Sequence, residues 1–72
     1  MNRVVVGDFE TIEEAMSVQN KLINSDLNVI PYIKDLNGKY ILQAGSFANK
    51  DKALALVSQI KEMGYPSKVV SE

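Results

Sequence analysis

The stretch Lys34-Asp35-Leu36-Asn37-Gly38-Lys39-Tyr40-Ile41-Leu42-Gln43-Ala44 decides how the rest of the chain is read. Asn-Gly is the dipeptide preferred at the centre of a two-residue type I′ hairpin, because both central residues need positive φ. Such a turn pairs Leu36 with Lys39, so that partner numbers sum to 75. Ile33 then opposes Leu42, Tyr32 opposes Gln43, and Lys34 opposes Ile41. Successive side chains on a strand point to opposite faces. Leu42 and Ala44 suit a core, which leaves Ile41 and Gln43 on the other side.

The hairpin's first strand is expected over residues 27–34, a stretch rich in β-branched residues, and its second over 40–44. Pro31 falls inside the former. Proline cannot donate to a ladder, so this strand is expected at a sheet edge. Upstream, residues 3–6 read as a strand. Thr11 with Glu14 three positions on is a capping-box pattern. It opens a helix whose apolar stripe is Ile12, Ala15, Met16, Val18, Leu22 and Ile23. Asn24-Ser25-Asp26 ends it. Downstream, Asn49 caps a second helix with Ala53, Leu56, Val57, Ile60 and Met63 turned inward. Gly64 and Pro66 stop it, and residues 67–70 form a last strand.

The two halves match at an offset of 38 positions. Gly7-Asp8-Phe9 falls on Gly45-Ser46-Phe47, Ala15-Met16 on Ala53-Leu54, Val18 on Leu56 and Leu22 on Ile60. Each half reads as strand, Gly-x-Phe turn, helix and strand, over about residues 3–34 and 40–70. The order β-α-β-β-α-β, with right-handed crossovers, predicts an α+β ferredoxin-like fold. That fold is a four-stranded antiparallel sheet with both helices on one face, carrying an internal pseudo-repeat. The two glycine-bearing strands lie side by side at its centre, and Phe9 and Phe47 fold back onto the core.

Composition narrows function. The 72 residues contain no cysteine and no histidine. Disulfides, thiolate nucleophiles, zinc cages and Ser-His-Asp hydrolysis are therefore excluded. Eight basic and nine acidic residues give a net charge of -1, a poor footprint for a nucleic-acid binder. Apolar residues make 46% and charged residues 24%, an ordinary globular mix. No apolar run approaches the roughly 20 residues of a membrane-spanning helix. Gly7 and Gly45 are lone glycines, not a phosphate-binding loop. Glu13-Glu14 complement the dipole at a helix start. No catalytic constellation, metal set or cofactor motif emerges.

Helices cover one face of the expected sheet, so function is sought on the other. The repeat offset places Val4 and Val6 in the core and Arg3 and Val5 outside it, and on the last strand Val69 falls in the core. The open face then carries Tyr32, Gln43, Val5, Ile41, Ile30, Lys34, Lys68 and Val70. An aromatic plane, β-branched residues and one amide suit a hydroxyl-rich ligand better than a polyphosphate. The residues alone leave other readings open. The face can belong to a protein-interaction or small-ligand regulatory domain of the same topology, dimerising through the sheet. An RNA-recognition reading wants aromatics on the central strands, where Val5, Ile41 and Gln43 stand.

The run Tyr40-Ile41-Leu42-Gln43-Ala44-Gly45-Ser46-Phe47-Ala48-Asn49, with Lys52-Ala53, Ile60-Lys61 and Gly64-Tyr65-Pro66 after it, resembles the SPOR (sporulation-related repeat) domain family. That family's pattern is an aromatic-x-hydrophobic-Gln-hydrophobic-Gly-Ser/Ala-Phe strand and turn. An alanine-bearing helix and a Gly-Tyr/Phe-Pro exit follow. Residues 4–15 resemble a weaker partner half, with Val5 in place of glutamine and Asp8 in place of serine. The fuller motif usually comes in the family's first half; here it lies in the second. The resemblance covers nearly all of residues 1–72, as one domain.

The resemblance implies a non-catalytic module that binds denuded peptidoglycan glycan strands. Such modules direct a cell-division protein or wall hydrolase to the septum. It implies no cofactor, no nucleic-acid partner and no membrane insertion by this segment. The expected location is the extracytoplasmic envelope or periplasm, as a module of a larger exported protein, or the cytoplasm if the chain is complete as given. The family's strand glutamine lands on Gln43 and its turn serine on Ser46. Tyr32 stands in for a tryptophan often found on the family's sheet. With the face assignment, the expected glycan-binding residues are Gln43, Ser46, Tyr32, Val5, Ile41, Lys34 and Lys68. Lys34 or Lys68 would reach the lactyl carboxylates of muramic acid.

Overall fold

Asn37 and Gly38 take φ of 53° and 86°. The hairpin they close has the register this turn imposes, from Leu36↔Lys39 through Lys34↔Ile41 to Tyr32↔Gln43. The Asp35 carboxylate accepts the Gly38 N–H at 3.3 Å and steadies the turn. The structure, a computed structural model, describes residues 1–71. Its elements are β1 (Asn2–Phe9), α1 (Ile12–Ile23), β2 (Tyr32–Leu36), β3 (Lys39–Phe47), α2 (Lys50–Glu62) and β4 (Ser67–Ser71). They form one antiparallel sheet in the order β2-β3-β1-β4. This is the α+β ferredoxin-like arrangement, with the glycine-bearing strands β1 and β3 at the centre and β2 at an edge.

Alternation sorts the sheet residues onto two faces. Val4, Val6, Leu42 and Ala44 join Ala15, Val18 and Leu22 of α1 and Ala53, Leu56, Val57 and Ile60 of α2 in a single core. Leu22, Leu42 and Ile60 are fully buried. Each contributes roughly 1.5–3 kcal/mol through removal from water. Ile33, Phe47 and Val69 pack against this cluster.

The helix ends follow their sequence signals. Thr11 caps α1, accepting the Glu14 N–H on its hydroxyl at 3.2 Å, while that hydroxyl lies 3.4 Å from the Glu14 carboxylate. Asn49 caps α2 by accepting the Asp51 N–H at 2.8 Å. At the far end of α2, Gly64 N–H donates to the Lys61 carbonyl and Tyr65 N–H to the Ile60 carbonyl. These two bonds are the Schellman pattern.

Four expectations are corrected. The second strand does not span 27–34: it begins at Tyr32 and runs to Leu36. Asn28 turns into positive φ, at 58°, and interrupts the extended run. Pro31 precedes the strand instead of lying within it and is fully buried. Its carbonyl accepts from the Gln19 side chain at 2.9 Å. Leu27 and Val29 pack on the core from this linker. Next, Gly-x-Phe is not a turn in either half; β1 and β3 run through it to Phe9 and Phe47. β1 accommodates this with a register shift between Val6 and Phe9. Third, Ile12, Met16 and Ile23 are exposed, because α1 meets the sheet through the narrower line Ala15, Val18 and Leu22. Last, Met63 is the C-cap of α2 and 38% exposed, one residue beyond the last inward turn.

Candidate functional site on the open face of the sheet

The face away from the helices is a shallow groove of about 540 Å³. Small-molecule sites range over roughly 300–1,000 Å³. Its floor is built by the central strands. Val5 of β1 pairs with Gln43 of β3 on one side and with Lys68 of β4 on the other. Side chains opposite one another across an antiparallel pair share a face, so one row reads Tyr32, Gln43, Val5, Lys68 across all four strands. Ile41 and Lys34 form the next row on β3 and β2.

Five of the seven expected site residues line this groove: Val5, Ile41, Gln43, Lys34 and Lys68. Val5 is only 7% exposed yet stands outside the core cluster, so its burial comes from neighbours on the open side. Tyr32 keeps its place in the row but does not line the groove. It stands on the edge strand, 49% exposed, with the Lys34 ammonium 5.6 Å from its ring centroid. Ser46 lies at the rim, exposed, as the register partner of Arg3. Ile30, expected on this face, is 85% exposed and belongs to the linker before β2.

The groove also holds residues that the expected site omitted: Arg3, Gly7, Asp8, Leu36, Lys39 and Val70. Arg3 and Val70 were on the expected open face and needed only to be counted. Lys39 was reachable by the same alternation, since 39, 41 and 43 share a face. Asp8 was hidden by the irregularity between Val6 and Phe9, which breaks simple alternation. The result is a strong charge bias. Half of the chain's eight basic residues line the groove, against Asp8 alone of the eight acids among the described residues. Net charge conceals this segregation, because the other described acids lie elsewhere.

At the centre stands the Gln43 amide, half-buried on the β3 floor. It takes no hydrogen-bond partner among the described residues. An amide left with two donors and an acceptor beside apolar neighbours is equipped to orient a polar ligand. Among the described residues no group of three or more carboxylates gathers to hold a metal ion.

Fold and face together define a small α+β module with a shallow, basic, amide-centred groove on its exposed sheet. The SPOR domain family model matches residues 36–72, just over half of the chain. The chain belongs to the SPOR domain family, a family of peptidoglycan-binding modules found typically in periplasmic or envelope proteins. The match covers β3, α2 and β4, the half that carries Gln43, Gly45 and Ser46. Comparison with curated proteins and with solved structures returned no match. No helix among the described residues is long and apolar enough to cross a membrane.

Proposed function

We propose that this chain binds peptidoglycan glycan strands stripped of their stem peptides, on the open sheet face, and catalyses no reaction itself. In this reading it serves as the targeting module of a larger exported cell-division protein or wall hydrolase, in the envelope, at the septum. The observation that carries it is the unpartnered Gln43 amide between Val5 and Ile41 in the groove. The amide bonds sugar hydroxyl or N-acetyl groups, and the two aliphatic side chains pack on sugar rings. Ser46 and Tyr32 contact the strand at the rim. Lys34 and Lys68 meet lactyl carboxylates, groups that are free only where the stem peptide has been removed.

The test is co-sedimentation with purified sacculi before and after amidase treatment. Retention should rise on amidase-treated sacculi. Equal retention on both would reject the preference for stripped strands, and no retention on either would reject glycan binding.

A further inference from the structure

The four groove cations fall into two pairs at opposite corners of the sheet. Lys34 pairs with Ile41 and Leu36 with Lys39, so Lys34 and Lys39 are diagonal neighbours on the β2–β3 hairpin. Val5 pairs with Lys68 and Arg3 with Val70, so Arg3 and Lys68 are diagonal neighbours on β1 and β4. Diagonal neighbours lie roughly 7–8 Å apart. Between the corners the distance is larger. Lys34 and Lys68 stand on the two outer strands, three interstrand steps apart and offset by two residues. At about 4.8 Å per step and 3.4 Å per residue, their backbone positions are roughly 16 Å apart. The ground between them is uncharged: Val5, Ile41 and Gln43.

Existing contacts leave the first corner available. Tyr32 holds the Lys34 ammonium at 5.6 Å from its ring centroid. Lys39 lies 3.7 Å from the Glu10 carboxylate, but both side chains are more than half exposed. Exposed pairs of this kind are weak and exchange readily for a better-placed anion.

We propose that the groove is a two-point reader of one linear polyanion: Lys34 with Lys39 takes one carboxylate, and Arg3 with Lys68 takes a second carboxylate further along the same glycan. This rests on the glycan reading above and adds a path, diagonal across the sheet, and a chemical requirement. Two weak charge contacts on one molecule reinforce each other, because engaging the first raises the effective concentration of the second. Neither corner alone then suffices.

The test compares peptide-free glycan oligosaccharides of matched length with the same oligosaccharides after their carboxyl groups are reduced to alcohols. Calorimetric titration of the 72-residue chain should show about tenfold or greater weakening on reduction. Two double variants, Lys34→Gln with Lys39→Gln and Arg3→Gln with Lys68→Gln, should each bring native glycan down toward the reduced level. On the reduced glycan, which offers no carboxylate, each double variant should lose far less than it loses on native glycan. Because Arg3 lies in a central strand, Lys68→Gln alone is measured beside its double variant, and circular-dichroism melts confirm folding. Equal binding of native and reduced glycan overturns the two-point reading and leaves glycan binding standing. So does an effect confined to one corner. Failure of the unaltered chain to bind either glycan overturns both.

Discussion

The two halves of the sheet carry the same Gly-x-Phe motif under different strain. In β1, Gly7 has φ of +100°, and a Cβ placed on it would lie 2.6 Å from the Phe9 ring. In β3, Gly45 has no such φ, and its Cβ would meet the Phe47 ring at 2.9 Å and Leu56 at 3.4 Å. Both glycines exist so that a phenylalanine two residues on can lie over the backbone. Only the first also needs a conformation that side chains disfavour. The halves also present different side chains. The second puts Gln43 into the groove where the first puts Val5, while Ser46, at the repeat position of the groove-lining Asp8, stays at the rim. The second half is also the one that the family model matches. The first half lends Arg3, Val5 and Lys34 to the groove, and its strained strand turns Asp8 into it as well.

The largest expected effect breaks that comparison at its glycines. Gly7→Ala combines a left-handed backbone cost of about 1–2 kcal/mol with overpacking of about 1–3 kcal/mol against Phe9. Roughly 3 kcal/mol is expected. A chain of this length commands only roughly 4–11 kcal/mol in total, so the variant should be largely destabilised. Gly45→Ala should cost about 1–2 kcal/mol, from crowding alone. Urea unfolding followed by circular dichroism measures both. Equal costs would show that ring contact, not backbone conformation, is what both glycines serve.

The sequence disclosed most of this architecture through one dipeptide. Asn37-Gly38 fixed the hairpin register, which put Ile33 and Tyr32 opposite Leu42 and Gln43, and the 38-residue repeat carried the β3 assignment over to Val5, all on their observed faces. What stayed hidden was irregular. The expected strand at 27–34 had the right composition, but the ladder ends at Tyr32↔Gln43, one step before β3 shifts register at Gly45. Strand propensity cannot register the loss of a partner. The charge segregation was within reach of alternation, which already put Arg3, Lys34 and Lys68 on the open face, but the near-zero net charge conceals it. Arg3, Lys34, Lys39 and Lys68 are scattered in sequence and meet only once four strands are placed side by side.

The groove side chain that differs between the halves gives the next effect. Gln43→Ala should weaken retention on amidase-treated sacculi about tenfold, equivalent to about 1.4 kcal/mol. The amide has no internal partner to lose, so the melting temperature should hardly move. Unchanged retention would move the site off Gln43. The helix caps sharpen the comparison on a smaller scale. Asn49→Ala should cost about 1 kcal/mol and Thr11→Ala somewhat less. The Asn49 bond is the shorter, at 2.8 Å against 3.2 Å. The reverse order in thermal unfolding would mean that the Glu14 side of the capping box carries the first helix.

Asp8 gives the smallest effect and the most direct reading of the groove's electrostatics. It is the sole acid among the groove's lining residues and occupies the repeat position of Ser46. A carboxylate there repels an anionic strand approaching Lys34 and Lys39, and it is exposed, so the repulsion is modest and screened by salt. Asp8→Asn preserves shape and removes the charge. It should tighten binding to peptide-free glycan about twofold at low ionic strength, with the gain vanishing near 1 M salt, where the screening length falls to about 3 Å. Binding to carboxyl-reduced glycan should not change. A gain that persists in high salt, or that appears equally on reduced glycan, would mean that Asp8 acts through the conformation of β1 and not through its charge.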